Sequence, residues 1–327
     1  MNFRSFRDVS VAEVGLGTWQ LGSDEWGAVA EEDALQILQA YTDNGGNFID
    51  TADIYGGGTS ERVIARFLKN VDREFFIATK LGRREDAANG WPQNFTYEYM
   101  KQHTEDSLER LGVSRLFLQQ LHCVPKKELE KGDVFDHLRT LQEEGLIRYW
   151  GASVETIEEA LICLEQEGLA SLQVIFNIFR QHLADEVFTR AKEKGVAIIA
   201  RVPLASGLLT GRFNRNTTFP EQDHRNFNAN GEAFNVGETF SGIEFRKGVE
   251  LSHRISGMLP DERTPQWAIR WILDHAEVTT VIPGASKVYQ AQSNAQASEL
   301  ESLSKPVHKQ LRALYDEEIR NAIRGEV

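Results

Sequence analysis

The chain has 327 residues, 41% hydrophobic and 26% charged, which is enough to bury a large core in one domain or two. Its 36 Lys and Arg against 49 Asp and Glu leave a formal net charge of −13, which argues against a general nucleic-acid binder. Two cysteines, Cys123 and Cys163, make no disulfide framework, and no run reaches the ~18 apolar residues of a membrane span, so a cytoplasmic chain is expected.

In chain order, short apolar runs alternate with amphipathic stretches. The first predicted strand is Val14–Trp19, followed by a helix over Asp33–Asp43. Phe48–Asp50 precedes a helix from Ser60 to Lys69, and Phe75–Lys80 precedes Tyr97–Leu111. Leu116–Leu121 leads into Val134–Glu144, and Tyr149–Ser153 into Thr156–Glu167. Leu172–Asn177 leads into Ala184–Lys194. Val196–Val202 and Val278–Ile282 complete eight strands, with Pro265–His275 and Val288–Ala297 as the last two helices of the set. Ser60 opens a helix, and Gly112, Gly145 and Gly195 close helices, as caps should.

No repeat and no linker divides the sequence, so residues 1–327 are expected to form a single domain. Eight strand–helix pairs predict an α/β fold, the (β/α)8 barrel, with an open doubly wound sheet as the rival. Two segments interrupt the alternation. About 60 residues from Pro203 to Arg263 make a long loop after strand seven, suited to an active-site cover, with Ile243–Ile255 helical within it. Lys305–Arg324 reads as an extra C-terminal helix.

Barrels build their sites from the C-terminal ends of strands. Here strand two ends at Asp50 with Tyr55 on the next loop, strand three at Lys80, and strand four runs into His122. Together these suit carbonyl reduction. A hydride arriving at a carbonyl carbon leaves charge on oxygen, which needs a proton donor. Tyr55 can donate that proton; Lys80 would lower the tyrosine pKa; Asp50 would hold Lys80; His122 would orient the carbonyl oxygen.

The ordered set Gly15-Leu16-Gly17-Thr18-Trp19, Asp50 to Gly56, Ser60-Glu61, Thr79-Lys80, Leu121-His122, Gly151-Ala152-Ser153, Gln173, Asn177, Ser206 to Gly211, Ile282-Pro283-Gly284 and Asn294 resembles the aldo/keto reductase family. The resemblance spans about residues 12 to 297. It implies a (β/α)8 barrel that reduces aldehydes or ketones with NADPH, or in some members NADH. It implies Tyr55 as general acid, Lys80 and Asp50 as its tuning partners and His122 as the orienting group.

The resemblance also implies the cofactor contacts. Gly17, Thr18 and Trp19 lie at the first strand end, and Ser153, Gln173 and Asn177 would meet the carboxamide. Arg201, Pro203 and Leu204 stand where many members stack a tyrosine on the nicotinamide, and Arg201 is expected to favour the reduced cofactor there. Ser206, Gly207, Leu209, Gly211 and Arg212 would cradle the pyrophosphate with backbone N–H groups and hydroxyls. Gly284, Ser286 and Lys287 start the last barrel helix, where a 2′-phosphate would sit, with Gln290 and Asn294 near the adenine. Val154 replaces a family asparagine, and Gln290 a basic residue. The Gln290 departure weakens the case for a 2′-phosphate, but with Ser286 and Lys287 in place NADPH is the expected cofactor; NADH is possible, and no metal site is assigned.

Trp19, Trp26, Trp91, Phe95, Phe213, Phe219 and Phe227 are candidates for the wall of a site for a small carbonyl or alcohol substrate. Arg212, Arg215, His224 and Arg225 face Glu221 and Asp223 along the long loop, and Cys123 reads as a packing residue. Neither nucleic acid nor membrane is an expected partner; a monomer or a small homo-oligomer is. The alternative of another class is a cofactor-binding regulatory or sensor subunit with little turnover. A third reading, a barrel aldolase with Lys80 as Schiff base, leaves Tyr55 and His122 with less to do.

Overall fold

The computed structural model describes residues 1–22, 29–84 and 95–326. An antiparallel hairpin comes first, β1 (Phe3–Phe6) with β2 (Val9–Ala12). Eight parallel strands follow: β3 (Leu16–Gly17), β4 (Phe48–Asp50), β5 (Phe76–Leu81), β6 (Leu116–His122), β7 (Ile147–Ser153), β8 (Ser171–Ile175), β9 (Ala197–Arg201) and β10 (Val278–Val281). They pair in chain order. Parallel bridges from Val14 to Val281 and from Gly17 to Gly284 join the first to the last, so the sheet closes as the expected (β/α)8 barrel.

The strands are buried on both faces over most of their length and are largely apolar, apart from polar residues such as Lys80, Gln120 and Gln173; all six residues of β5 are buried. Outside them pack Glu31–Asp43, Thr59–Leu68, Tyr97–Leu111, Asp133–Glu143, Ile157–Leu164, Thr264–Leu273 and Val288–Gln296. Thr156 caps its helix reciprocally with Glu159, which explains the start there.

Three expectations are corrected. The first strand is confined to Leu16–Gly17, and Trp19 instead opens a helical turn, Trp19–Gly22. Helix 184–194 is two pieces, His182–Glu186 and Phe188–Glu193, broken at Val187. The terminal helix ends at Leu314; a wider turn, Tyr315–Ile319, and a 3-10 turn, Arg320–Ala322, continue it. The hairpin was not among the expected elements, because two four-residue strands carry too little periodicity to stand out. It matters for the site. Phe6 is fully buried at the N-terminal ends of the barrel strands, with ring centroids 5.3 Å from Phe117, 5.9 Å from Tyr149 and 6.4 Å from Phe48. That end is plugged, and the C-terminal rim is the open face.

Over that rim lies the segment 203–263. It contains a 3-10 turn (Ala205–Thr210), a short helix (His224–Phe227) and a longer one (Phe245–Ser256). The chain end ties it down: Arg324 donates to the carbonyls of Gly242 at 3.0 Å and Ala229 at 2.9 Å and to Asn230 Oδ1 at 2.9 Å.

Candidate active site

Strand register assembles the site. Gly17 lies beside Asp50, Lys80 beside Gln120, and His122 beside Ser153, which lies beside Gln173. Strand side chains alternate between the two faces of the sheet, so this register decides which polar groups share a level. Lys80 Nζ is 2.5 Å from Asp50 Oδ1 and 2.8 Å from the Thr51 carbonyl, and its third donor direction meets Tyr55 Oη at 3.2 Å. The second Asp50 oxygen accepts from Gln173 Nε2 at 2.7 Å and Gln120 Nε2 at 3.3 Å. Every lone pair that a buried carboxylate leaves exposed costs energy, and here two amides and an ammonium meet them.

Tyr55 is positioned by contact on both sides. Its ring stacks on Trp19 with centroids 6.0 Å apart and meets His122 edge-on at 5.9 Å. The following Gly56 has φ +56°, and a Cβ there would meet the Gly22 carbonyl oxygen at 1.4 Å, so only glycine lets the Tyr55 loop lie on the Trp19 turn.

Charge states follow from burial. Burial would lower the Lys80 pKa, but Asp50 and Tyr55 more than offset it, so the ammonium is held above its ordinary value. Burial raises the Tyr55 pKa, and the opposing pull of Lys80 recovers only part of the rise. The lowering expected from Lys80 alone is thus outweighed. Burial, then Arg83, Lys80 and Arg201, push His122 well below its usual range, which makes it a neutral imidazole at pH 7. The arrangement presents one phenol O–H backed by a fixed cation, and one neutral ring beside it.

Tyr55 and His122 open onto a cavity of about 750 Å³ that also touches Gly17, Thr18, Trp19, Ser153, Gln173 and Arg201. This volume suits a small ligand together with part of a larger one. The aldo/keto reductase family model matches residues 13–316. The chain belongs to the aldo/keto reductase family.

Among its relatives is an uncharacterized oxidoreductase, YqkF, of Bacillus subtilis, 27% identical over 320 residues that cover 97% of each chain. The Schizosaccharomyces pombe aldo-keto reductase yakc, named with NADP(+), is 28% identical over 325 residues, covering 96% of this chain and 91% of its own. The structure of a glycerol dehydrogenase from Gluconobacter oxydans superposes with a TM-score of 0.79 at 26% identity, over 99% of this chain and 98% of that one. This aldo/keto reductase is accordingly an NAD(P)H-dependent oxidoreductase acting on carbonyl groups. None of its described helices is long and apolar enough to cross a membrane.

The reductase's cavity can be tested for a nicotinamide cofactor. Gly207, on its wall, has φ +98°, a backbone open to close approach, and the buried His122 Nδ1 and Arg201 Nε have no hydrogen-bond partner. Pro203, Leu204, Ser206, Arg212, Gly284, Ser286 and Gln290 also line it, so the residues present fit such a group.

Several expected cofactor contacts are engaged elsewhere. Asn177 donates to the Val202 carbonyl and Ser241 Oγ, each at 2.8 Å, and braces the loop instead of lining the cavity. Ser206 Oγ bridges the Glu238 carbonyl at 3.0 Å and the Phe240 N–H at 3.1 Å. Leu209 is fully buried, and the Leu209 and Gly211 N–H groups donate to the carbonyls of Leu204 and Leu208. Gln290 Oε1 accepts from the Ser286 and Lys287 N–H groups at 2.8 and 3.1 Å, so the helix start is capped from within. Lys287 is exposed and outside the cavity, and Asn294 donates to the Gly284 carbonyl at 3.2 Å.

Of the proposed substrate wall, Trp19 and Phe213 line the cavity. Phe95 is core, Phe219 packs on Phe213, Phe240 and Phe245, and Phe227 packs on Phe234. Trp26 and Trp91 lie outside the described residues. Ile54, Arg83, Phe234 and Glu238 line the cavity without having been expected to. Phe234 and Glu238 come from a loop with no periodicity, where spacing carries no signal. Cys123 lines it too, though burial pushes its thiol up to about 12, which fits a packing thiol rather than a thiolate. Cys123 and Val202 each follow a strand end with positive φ, 50° and 53°, a sharp turn that leaves His122 and Arg201 at the rim.

Proposed function

We propose that this enzyme reduces an aldehyde or ketone to the alcohol, reversibly, with NADPH as the preferred reductant and Tyr55 as the proton donor. The observation that carries the reading is the chain Asp50–Lys80–Tyr55, with contacts of 2.5 and 3.2 Å, ending on a phenol that opens beside His122 into one cavity. The cofactor, when bound, supplies the hydride. As charge develops on the substrate oxygen, Tyr55 Oη gives up its proton to it. Lys80 then stabilises the phenolate at 3.2 Å, and Asp50 keeps Lys80 charged and still. The neutral His122 donates a hydrogen bond to the same oxygen and orients the carbonyl. Trp19, Ile54 and Phe234 provide an apolar wall that suits small carbonyl compounds.

The preference for NADPH rests on Arg212 in the cavity wall, on Lys287 next in sequence to the wall residue Ser286, and on the NADP(+) name of one relative. The test is consumption of NADPH and of NADH with a reactive aromatic aldehyde. NADPH loss at least about tenfold faster is expected, and Tyr55→Phe should cut turnover by ~10²-fold or more with cofactor affinity within about threefold. Turnover kept by Tyr55→Phe would remove Tyr55 as the acid. Cofactor binding without turnover on any carbonyl would favour the regulatory subunit.

A further inference from the structure

Arg201 enters the cavity as one half of an ion pair. Its Nη1 pairs with Glu238 Oε1, and its Nη2 donates to the Val154 carbonyl at 3.2 Å and lies 3.7 Å from Cys123 Sγ. Arg201 is 8% exposed and Glu238 7%, and both line the cavity with His122, Ser153 and Gln173. Glu238 arrives from the long loop, held there by Ser206 Oγ on its carbonyl at 3.0 Å. Behind the pair stand Glu155 and the fully buried Arg180. Cys123 Sγ and one carboxylate oxygen each of Glu155 and Glu238 lie within 4.8 Å of one another, and the Arg201 guanidinium is bonded to two of these three side chains.

We infer that Glu238 is a positioning residue that holds the Arg201 guanidinium at the nicotinamide end of the cavity and cancels its charge, so that the enzyme binds oxidised and reduced cofactor in balance. The inference rests on the nicotinamide reading above. Its physical basis is a difference between the two cofactor forms: the oxidised ring is a cation and the reduced ring is neutral. An uncompensated guanidinium nearby weakens only the oxidised form. A compensated one treats both alike, because a paired charge in a low-dielectric wall has a short-range field. Arg201 alone was expected to favour the reduced cofactor; the pair removes most of that bias. A neutral pair also makes a defined plane. Three contacts from separate elements fix the guanidinium, whereas a flexible arginine would swing toward water.

The experiment is titration of the full chain with NADP⁺ and with NADPH, followed by quenching of tryptophan fluorescence, which reads affinity without turnover. The quantity is the ratio of the two dissociation constants. Glu238→Gln keeps shape and a hydrogen-bond acceptor but removes the charge, and the ratio Kd(NADP⁺)/Kd(NADPH) should rise about tenfold, from weaker NADP⁺ binding. Arg201→Gln leaves the carboxylate uncovered and should move the ratio the other way. The double variant should return within about twofold of the wild type. Opposite signs are something a merely structural pair would not produce. A ratio unchanged by Glu238→Gln, or one moved in the same direction by both single variants, overturns the inference. If Glu238→Gln does not fold, the fall with Arg201→Gln decides alone, and its absence overturns it. Wild type that binds neither nucleotide fails the nicotinamide reading itself, whereas binding with an unmoved ratio fails only the role of Glu238.

Discussion

Asp53 shows how much one side chain in a recognised motif can leave unexplained. It sits between Asp50 and Tyr55, fully walled in, and neither carboxylate oxygen has a hydrogen-bond partner. His103 Nδ1 is 3.8 Å away, and Glu61, Arg84 and Arg110 are the other charged groups that act on it. Burial, reinforced by Glu61, pushes its pKa up to about 8. The sign follows from linkage. Between about pH 4 and 8 the folded protein binds a proton that the unfolded chain has lost, so this group lowers stability progressively as pH rises through that window. Asp53→Asn should therefore stabilise the protein, by more than about 1 kcal/mol at pH 8, with the gain shrinking toward pH 4. Thermal unfolding of both proteins across that range checks it; a gain independent of pH would show the carboxyl to be ionised throughout. Lys80 and Asp50 present the opposite case, a buried pair whose partners are complete. The sequence placed Asp50, Lys80 and His122 at strand ends and Tyr55 on the loop after Asp50, and the register brings them to one rim. It did not show that Gln173 and Gln120 serve Asp50, because an amide in a strand looks the same whichever neighbour it faces.

Among the elements, the hairpin and the long loop carry what periodicity could not. The barrel strands and most of their helices were legible because eight apolar runs and their amphipathic partners repeat one pattern. The hairpin has no such repeat, yet Phe6 fills the barrel floor with Phe48, Phe76, Phe117 and Tyr149. Phe6→Ala removes a fully buried ring that few neighbours can collapse upon. It should cost about 3–5 kcal/mol in denaturant unfolding while leaving nucleotide affinity unchanged, since the site lies at the other end. Loss of affinity in step with stability would mean that the floor also shapes the rim. In the long loop the difference is larger. The Gly-rich stretch Ser206–Gly211 reads as an anion cradle in isolation, but much of its hydrogen bonding is spent on its own turn and on the Glu238–Phe240 segment.

At the scale of the molecule, the two ends of the chain do different work. The first residues plug the barrel, and the last cross over the active-site loop. Arg324 reaches the carbonyls of Ala229 and Gly242 and the side chain of Asn230, while Arg180 from the barrel side donates to the Glu326 carbonyl at 2.9 Å. Each such bond contributes on the order of 1 kcal/mol to keeping the loop closed. Arg324→Ala should raise the rate of tryptic cleavage within residues 203–263 by about tenfold, well below the unfolding temperature. Cleavage at the wild-type rate would show that the loop is held by its own packing. The −13 net charge also meets its limit here. The cavity wall carries Arg83, Arg201, Arg212 and Arg225 against Asp50 and Glu238, so even with Arg201 paired to Glu238 arginines outnumber carboxylates there, and the overall charge of an acidic protein says nothing of that surface.

By itself the sequence determined the barrel, the position of the long loop and the four residues at or just after strand ends, because each depends on local spacing: a period of two or 3.6, a glycine after a helix, a polar residue closing an apolar run. Tertiary structure decided the rest. That Ser206 Oγ bonds the Glu238 carbonyl, and that Arg201 is one half of an ion pair with Glu238, are settled by a residue more than thirty positions away. The interactions that decide them are short-ranged in space and long-ranged in sequence, so they come into being only when the sheet closes and the loop folds over it.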